Sequence, residues 1–135
     1  MKKNDICRVT IEGYTSQGLG VARLPEGVVF VHQALAGETC EIQLLKVGKH
    51  ESYARVLRVL EPSPERLAPD CPIYGKCGGC ALRHMDYAEE LRMKAQRVED
   101  ALRRIGGQDC RVDILGADAQ ESYRNKVIYP VAEQD

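Results

Sequence analysis

Over its first 60 residues the chain repeats one pattern: short segments in which apolar and polar positions alternate, separated by turn-forming residues. Alternation with a period of two places one set of side chains on each face of a β-strand. Cys7, Val9 and Ile11 alternate with Arg8, Thr10 and Glu12. A glycine-rich bend from Gly13 to Gly20 leads into Val21 to Leu24, the turn Pro25-Glu26-Gly27, and the β-branched run Val28 to Val31. Proline presets the first turn position and glycine supplies freedom in φ, so this turn closes a hairpin. After the turn Ala36-Gly37-Glu38 come two longer strands, Thr39 to Val47 and Ser52 to Leu60, joined by Gly48-Lys49-His50-Glu51. Five strands over residues 1–60 predict a small closed barrel.

The pattern then changes twice. Residues 61–85 carry Pro62, Pro64, Pro69 and Pro72 and then Gly75, Gly78 and Gly79, which describes irregular backbone. Residues 86–107 read as an amphipathic helix, because Tyr87, Leu91, Ala95, Val98, Leu102 and Ile105 step by three or four along one face. Asp86 is its N-cap with Glu89 reaching back, Arg103 and Arg104 suit the negative end of the dipole, and Gly106 is the left-handed residue past the end. Glu90, Arg92, Lys94, Arg97 and Glu99 read as a solvated face. In residues 108–135, Val112 to Leu115 and Tyr123 to Val131 are strand-like. The chain is thus mainly β with one helix, and its last strand-like segment reads as the opening of a further sheet, as if the chain were cut there.

Composition narrows the setting. Lys plus Arg number 19 against 20 Asp plus Glu, a net charge of -1, so any contact with nucleic acid rests on local patches rather than on a polybasic tail. No apolar run is long enough for a membrane span or an export signal, which points to an intracellular, cytoplasmic protein. In a reducing compartment cysteines serve more often as thiols, metal ligands or redox groups than as disulfides. Of the 6 cysteines, Cys71, Cys77 and Cys80 fall together in the segment Cys71-Pro72-Ile73-Tyr74-Gly75-Lys76-Cys77-Gly78-Gly79-Cys80.

Gly78 and Gly79 allow a tight bend between Cys77 and Cys80, and thiolates at this density suit zinc or an iron–sulfur cluster, both of which commonly take four ligands. The fourth ligand is open: His84, Cys110 or a residue outside the chain. The ordinary reading makes His84 an exposed loop histidine and Cys7, Cys40 and Cys110 small buried thiols on strands. A Cys77–Cys80 redox pair is the remaining alternative.

Gly18-Leu19-Gly20-Val21-Ala22-Arg23, followed by Val28 to Val31 and Ala34-Leu35-Ala36-Gly37-Glu38, resembles a TRAM domain, a small OB-like barrel found on RNA-modifying enzymes. Cys71-Pro72, Cys77-Gly78-Gly79-Cys80 and the helix through Lys94 resemble the [4Fe-4S] region of the S-adenosylmethionine-dependent RNA (uracil-5-)-methyltransferases. Tyr123-Arg124-Asn125-Lys126 is similar to the start of that family's central RNA-binding region.

The resemblance implies a TRAM barrel over residues 1–60, a cluster-binding loop over 61–85, the helix over 86–107, and the beginning of an α+β central domain over 108–135. It implies that Cys71, Cys77 and Cys80 hold the cluster, with the family's fourth cluster cysteine further along than Asp135 and zinc as the alternative occupant. It also implies a parent enzyme that flips a uridine in ribosomal or transfer RNA, attacks C6 with a cysteine and methylates C5 from S-adenosylmethionine. No catalytic residue is assigned within these residues, which are expected to bind RNA as a monomer without catalysing. Arg23, Lys46, Lys49, Arg55, Arg124 and Lys126 are the candidate RNA contacts, with His50 and Arg58 as further basic positions. Phe30 and Tyr53 are candidate stacking surfaces, although the apolar run around Phe30 points to the core.

Overall fold

The computed structural model describes residues 1–123, 125, 126, 128 and 131. The alternating segments become β1 (Ile6–Thr10), β2 (Gly13–Tyr14), β3 (Gly20–Leu24), β4 (Gly27–His32), β5 (Thr39–Val47) and β6 (Glu51–Glu61), and the amphipathic segment becomes α1 (Tyr87–Arg104). The strands form a single sheet in the order β1-β5-β6-β4-β3-β2. Every pairing is antiparallel except β4 with β6.

The strand order forces the sheet to curl. β1 and β2 lie at opposite edges, yet only Ile11 and Glu12 separate them in sequence. From Thr10 to Gly13 the backbone can reach at most about 11 Å, so the edges must approach one another. The Glu12 amide donates to the Val21 carbonyl at 2.7 Å and the Ile11 amide to the Glu38 carbonyl at 2.9 Å, which fastens this crossing from both sides. The expected five-stranded closed barrel is therefore a curled sheet of six strands, β2 being the short strand that the glycine-rich bend concealed.

Inside the curl, Val9, Ile11, Ala22, Val29, Val31, Ile42, Leu44 and Ala54 make one buried cluster with Ala34 and Cys40. Burying each of the larger aliphatic side chains contributes ~1.5–3 kcal/mol, which makes this cluster the main source of stability. Strict alternation then sends Val21, Phe30 and Tyr53 to the other face of the sheet, where they are only half-buried.

α1 has no fully buried residue. Its N-cap is Asp86, whose carboxylate accepts from the Ala88 amide at 3.3 Å. Glu89 does not complete a capping box; it accepts instead from the Tyr14 hydroxyl at 2.6 Å, tying the helix to β2. The left-handed glycine past the end is Gly107, at φ 65°, rather than Gly106, where an added Cβ would meet the Leu102 carbonyl at 2.8 Å.

No strand forms over residues 112–115. The Val112 amide donates to the Glu99 carboxylate at 3.0 Å and the Ala117 amide to the Tyr87 hydroxyl at 2.7 Å, so this segment runs back along α1 as irregular backbone. Without a strand to bury it, Cys110 is exposed, as is Leu115. The strand expected over Tyr123 to Val131 lies partly outside the described residues, and Arg124 wholly so.

Candidate functional site

The outward face of the sheet carries a row of paired residues running across four strands: Val21, Phe30, Tyr53 and Lys46. The Phe30 and Tyr53 rings meet edge to face, with centroids 5.5 Å apart and planes inclined by 64°. Lys46 completes the row with its ammonium 6.0 Å from the Tyr53 ring centroid, within reach of a cation–π attraction. Phe30, which its apolar neighbours assign to the core, thus stands on the outer face. The reason is register: Val29 and Val31 take the inward positions, and the residue between them must point the other way.

The next row pairs His32 with Arg55 and Arg55 with Gln43. Arg55 donates to the Gln43 side-chain oxygen from Nε at 3.1 Å and Nη2 at 2.8 Å, which ties the guanidinium to its neighbour across the strands. Arg23 lies two residues beyond Val21 on the same face, paired with Glu12 at 3.1 Å. Arg23, Lys46 and Arg55 are therefore gathered around the aromatic pair. Lys49 lies apart from them in the exposed β5–β6 turn, and Lys126 is exposed far along the chain.

Beside this face the structure opens a cleft of about 860 Å³ between the sheet and α1. Phe30, Val21 and Arg23 line one wall; Arg92, Arg97, Arg103 and Arg104 line the other. The arginines in the lining number five, counting Arg23, against the three carboxylates Glu12, Glu89 and Asp100. Arg92 pairs with Glu89 and Arg103 with Asp100, whereas Arg97 donates to the Ser16 carbonyl at 3.0 Å and has no salt bridge among the described residues. The helix face expected to be merely solvated is thus turned in part toward the sheet. Its arginine content was visible in the sequence, but its orientation depends on the Tyr14–Glu89 bond and on Gly18, whose φ of 80° and lack of a Cβ admit Leu82 and Met93.

The segment leading into the cysteine loop is anchored at the turn before β5. Glu38, expected in an ordinary turn, is fully buried. Arg66 grips both of its carboxylate oxygens, with Nη2 to Oε2 at 2.7 Å. The amides of Leu35 and Ser63 also donate to it, at 2.8 and 3.2 Å. Burial alone would push this carboxyl up; Arg66 and the two amides outweigh it and hold Glu38 below the usual carboxylate range. Arg66 in turn pairs in a β-bridge with Met85, next to His84.

His84 is not an exposed loop residue but 1% exposed. The Tyr74 hydroxyl lies 2.8 Å from the Ala81 carbonyl and 2.6 Å from His84 Nδ1. A phenol has one proton, and the carbonyl must receive it, so Nδ1–H donates to the phenol and Nε2 keeps its lone pair. Burial, reinforced by the nearby Arg66 charge, pulls His84 down to about 4, which keeps the ring neutral.

Three thiols ride on the loop so anchored: Cys71 is half-buried, Cys77 and Cys80 are exposed. Gly75 at φ 80° lets the loop close against Gln33, and Arg83 holds Asp70 through two hydrogen bonds of 2.6 Å. As donors the three are accessible soft ligands, unlike Cys40, whose thiol burial pushes up to about 11. Among the described residues, no three His, Cys, Asp or Glu side chains form a group arranged to hold a metal ion. His84 is engaged by Tyr74, and Cys110 lies exposed beyond α1.

Residues 2–57 match the TRAM domain family. Over its whole length the chain is similar to proteins described as uncharacterized RNA methyltransferases. One from Clostridium tetani is 40% identical over 135 residues, covering 99% of this chain and 29% of the relative. One from Halalkalibacterium halodurans is also 40% identical, covering 100% and 30%, and one from Synechocystis is 38% identical, covering 97% and 29%. Among solved structures there is a loose likeness to Pyrococcus abyssi tRNA (uracil-54, C5)-methyltransferase in complex with S-adenosyl-L-homocysteine, at a TM-score of 0.49 and 26% identity over 76% of this chain and 22% of that one.

The part of the chain that forms the curled sheet, residues 2–57, is the part that matches the TRAM domain. The chain is similar along its length to proteins described as RNA methyltransferases and spans about 30% of the length of the curated relatives it matches. Among the described residues no helix is long and apolar enough to cross a membrane.

Proposed function

We propose that this chain is the RNA-recognition portion of an S-adenosylmethionine-dependent RNA (uracil-5-)-methyltransferase that makes 5-methyluridine in ribosomal or transfer RNA. The observation that carries the reading is similarity along this whole chain to part of the RNA methyltransferases, in a chain whose TRAM sheet gathers Arg23, Lys46 and Arg55 around an outward aromatic pair. Basic side chains meet the phosphates of such an RNA, and aromatic faces meet its bases. Methyl transfer belongs to the remainder of the relatives' length, and no catalytic role falls on the residues described here.

Cys71, Cys77 and Cys80 are the residues that would hold a [4Fe-4S] cluster, their chemistry and accessibility being suited to soft-metal ligation. Such a cluster would supply a structural cross-link or a one-electron centre. The chain's own part is to present three thiols on a loop that Arg66 fastens to Glu38 and that the Tyr74–His84 bond braces from within. The uracil-5 assignment and the cluster both rest on the Cys-x5-Cys-x2-Cys spacing with its surrounding residues.

Metal analysis after anaerobic purification tests the cluster. Iron with acid-labile sulfide supports it; one zinc per chain, or neither metal, overturns it. Binding to structured RNA tests recognition, and affinity should fall steeply as salt is added, because phosphate contacts release counterions. Absent or salt-insensitive binding overturns that part of the reading.

A further inference from the structure

Two surfaces that the sequence presents separately are continuous in the fold. The Phe30–Tyr53 pair lies on the outer face of the sheet, and Phe30 is also a wall of the cleft beneath α1. Across that cleft stand Arg97 and Arg104. Arg97 spends its hydrogen bond on a carbonyl rather than on an acid, and Arg104 has no salt bridge among the described residues. An aromatic surface flanked by Lys46 therefore runs into a passage with an excess of positive charge.

We propose that this surface takes a short unpaired segment of RNA, one base stacking at the Phe30–Tyr53 pair while the adjoining phosphates enter the cleft toward Arg97 and Arg104. The inference rests on the RNA-recognition reading and narrows it from RNA in general to single-stranded nucleotides on one path. Two physical arguments select this occupant. A duplex buries its base faces against one another and has none to offer an aromatic ring, whereas an unpaired base does. The lining's arginine excess is complementary to a phosphodiester backbone, whereas a neutral or basic peptide would leave those charges unpaired. The Tyr53 hydroxyl donates to Glu51 at 3.3 Å, a bond at the rim of the ring, and Lys46 over the ring adds a positive charge beside the stacking surface.

The chain contains no tryptophan, so Tyr53→Trp introduces a single selectively excited fluorophore into this surface. The probe is a fluorescein-labelled oligouridylate of about 12 nucleotides, with a hairpin duplex of matched charge as comparison. The expected result is quenching of the introduced indole that saturates in step with the anisotropy of the labelled strand, and weaker quenching by the hairpin. Tyr53→Leu should weaken binding of the single strand roughly five- to 150-fold, equivalent to ~1–3 kcal/mol for one stacked base. Arg104→Ala, at an exposed helical position, should lower the slope of log affinity against log salt by about one without changing the thermal midpoint.

Binding of the single strand that leaves the indole fluorescence of Tyr53→Trp unquenched and the Tyr53→Leu variant unaffected overturns this path while leaving RNA recognition standing. Equal affinity for hairpin and single strand overturns the preference for unpaired nucleotides. Failure to bind RNA of either form overturns the recognition reading and this inference with it.

Discussion

Arg66, in the segment after the last strand, closes on the fully buried carboxylate of Glu38, in the turn before β5, with Nη2 to Oε2 at 2.7 Å. This pair ties the cysteine loop to the sheet. Removing one partner of a buried pair leaves the other uncompensated, which is costlier than never burying either. Arg66→Met should therefore destabilise the protein by ~3 kcal/mol, the low end of the usual range because the Arg66 side chain remains 22% exposed. Urea unfolding followed by circular dichroism measures the loss; a change within about 0.5 kcal/mol would mean that Glu38 is satisfied by its backbone donors alone.

Acid should unfold the protein in two overlapping stages. His84 falls from 6.5 in the unfolded chain to about 4 when folded, so the unfolded state binds the extra proton first. Its contribution is fully present above pH 6.5 and is lost as pH falls toward 4, roughly 3 kcal/mol in all. Glu38, held below its ordinary 4.5, contributes stability above that value that is lost as pH falls further through its folded pKa. Stability against pH for the wild type and His84→Gln checks the first stage, since the variant should lack the slope between pH 4 and 6.5.

Tyr74→Phe removes the hydroxyl shared by His84 and the Ala81 carbonyl. His84, whose Nε2 already lacks a partner, then has neither ring nitrogen bonded. A cost of ~1–3 kcal/mol follows. The loop should also loosen, raising the alkylation rate of half-buried Cys71 under native conditions. An unchanged rate would show that Arg66 and Arg83 suffice to hold it.

The thiols should divide by environment. Cys40 is buried and its thiol is raised to about 11, so iodoacetamide at mildly alkaline pH should spare it in the native protein. Cys77, Cys80 and Cys110 are exposed and, in the metal-free protein, should be modified first. Peptide mass mapping over a time course distinguishes the two sets, and early labelling of Cys40 would contradict the packed core around it.

Gly18→Ala should disturb the junction between sheet and helix. The position has φ 80°, and a Cβ there would stand 2.7 Å from Leu82 Cδ2. Strain and overpacking together cost ~1–3 kcal/mol. The thermal midpoint should fall by several degrees for a chain of this size.

Much of the fold was written in local pattern. Each of the two long strands and the α1 span can be read from neighbouring residues, because alternation and the helical period are properties of a few consecutive positions. The proline- and glycine-rich character of the loop and the cysteine spacing are likewise local. Readings failed where the deciding partner was remote in sequence. Glu38 resembles a turn acid until Arg66 closes on it, 28 residues later. His84 resembles a loop histidine until Tyr74 and the Arg66–Met85 bridge cover it. Val112 to Leu115 carry the composition of a strand, but no strand among the described residues offers them a ladder, and the Val112 and Ala117 amides donate to α1 side chains instead.

The order of the residues was enough to say which long segments are strands, which is the helix, and which three thiols share a loop. Folding had to be seen before it was plain that the edges of the sheet meet, that Phe30 points outward onto Tyr53, and that the helix arginines face the sheet across a cleft. The difference lies in the range of the forces involved. Backbone propensity and periodicity act over a few residues, whereas register, burial and charge pairing depend on which distant segments are brought together, here by the two-residue crossing at Ile11 and Glu12.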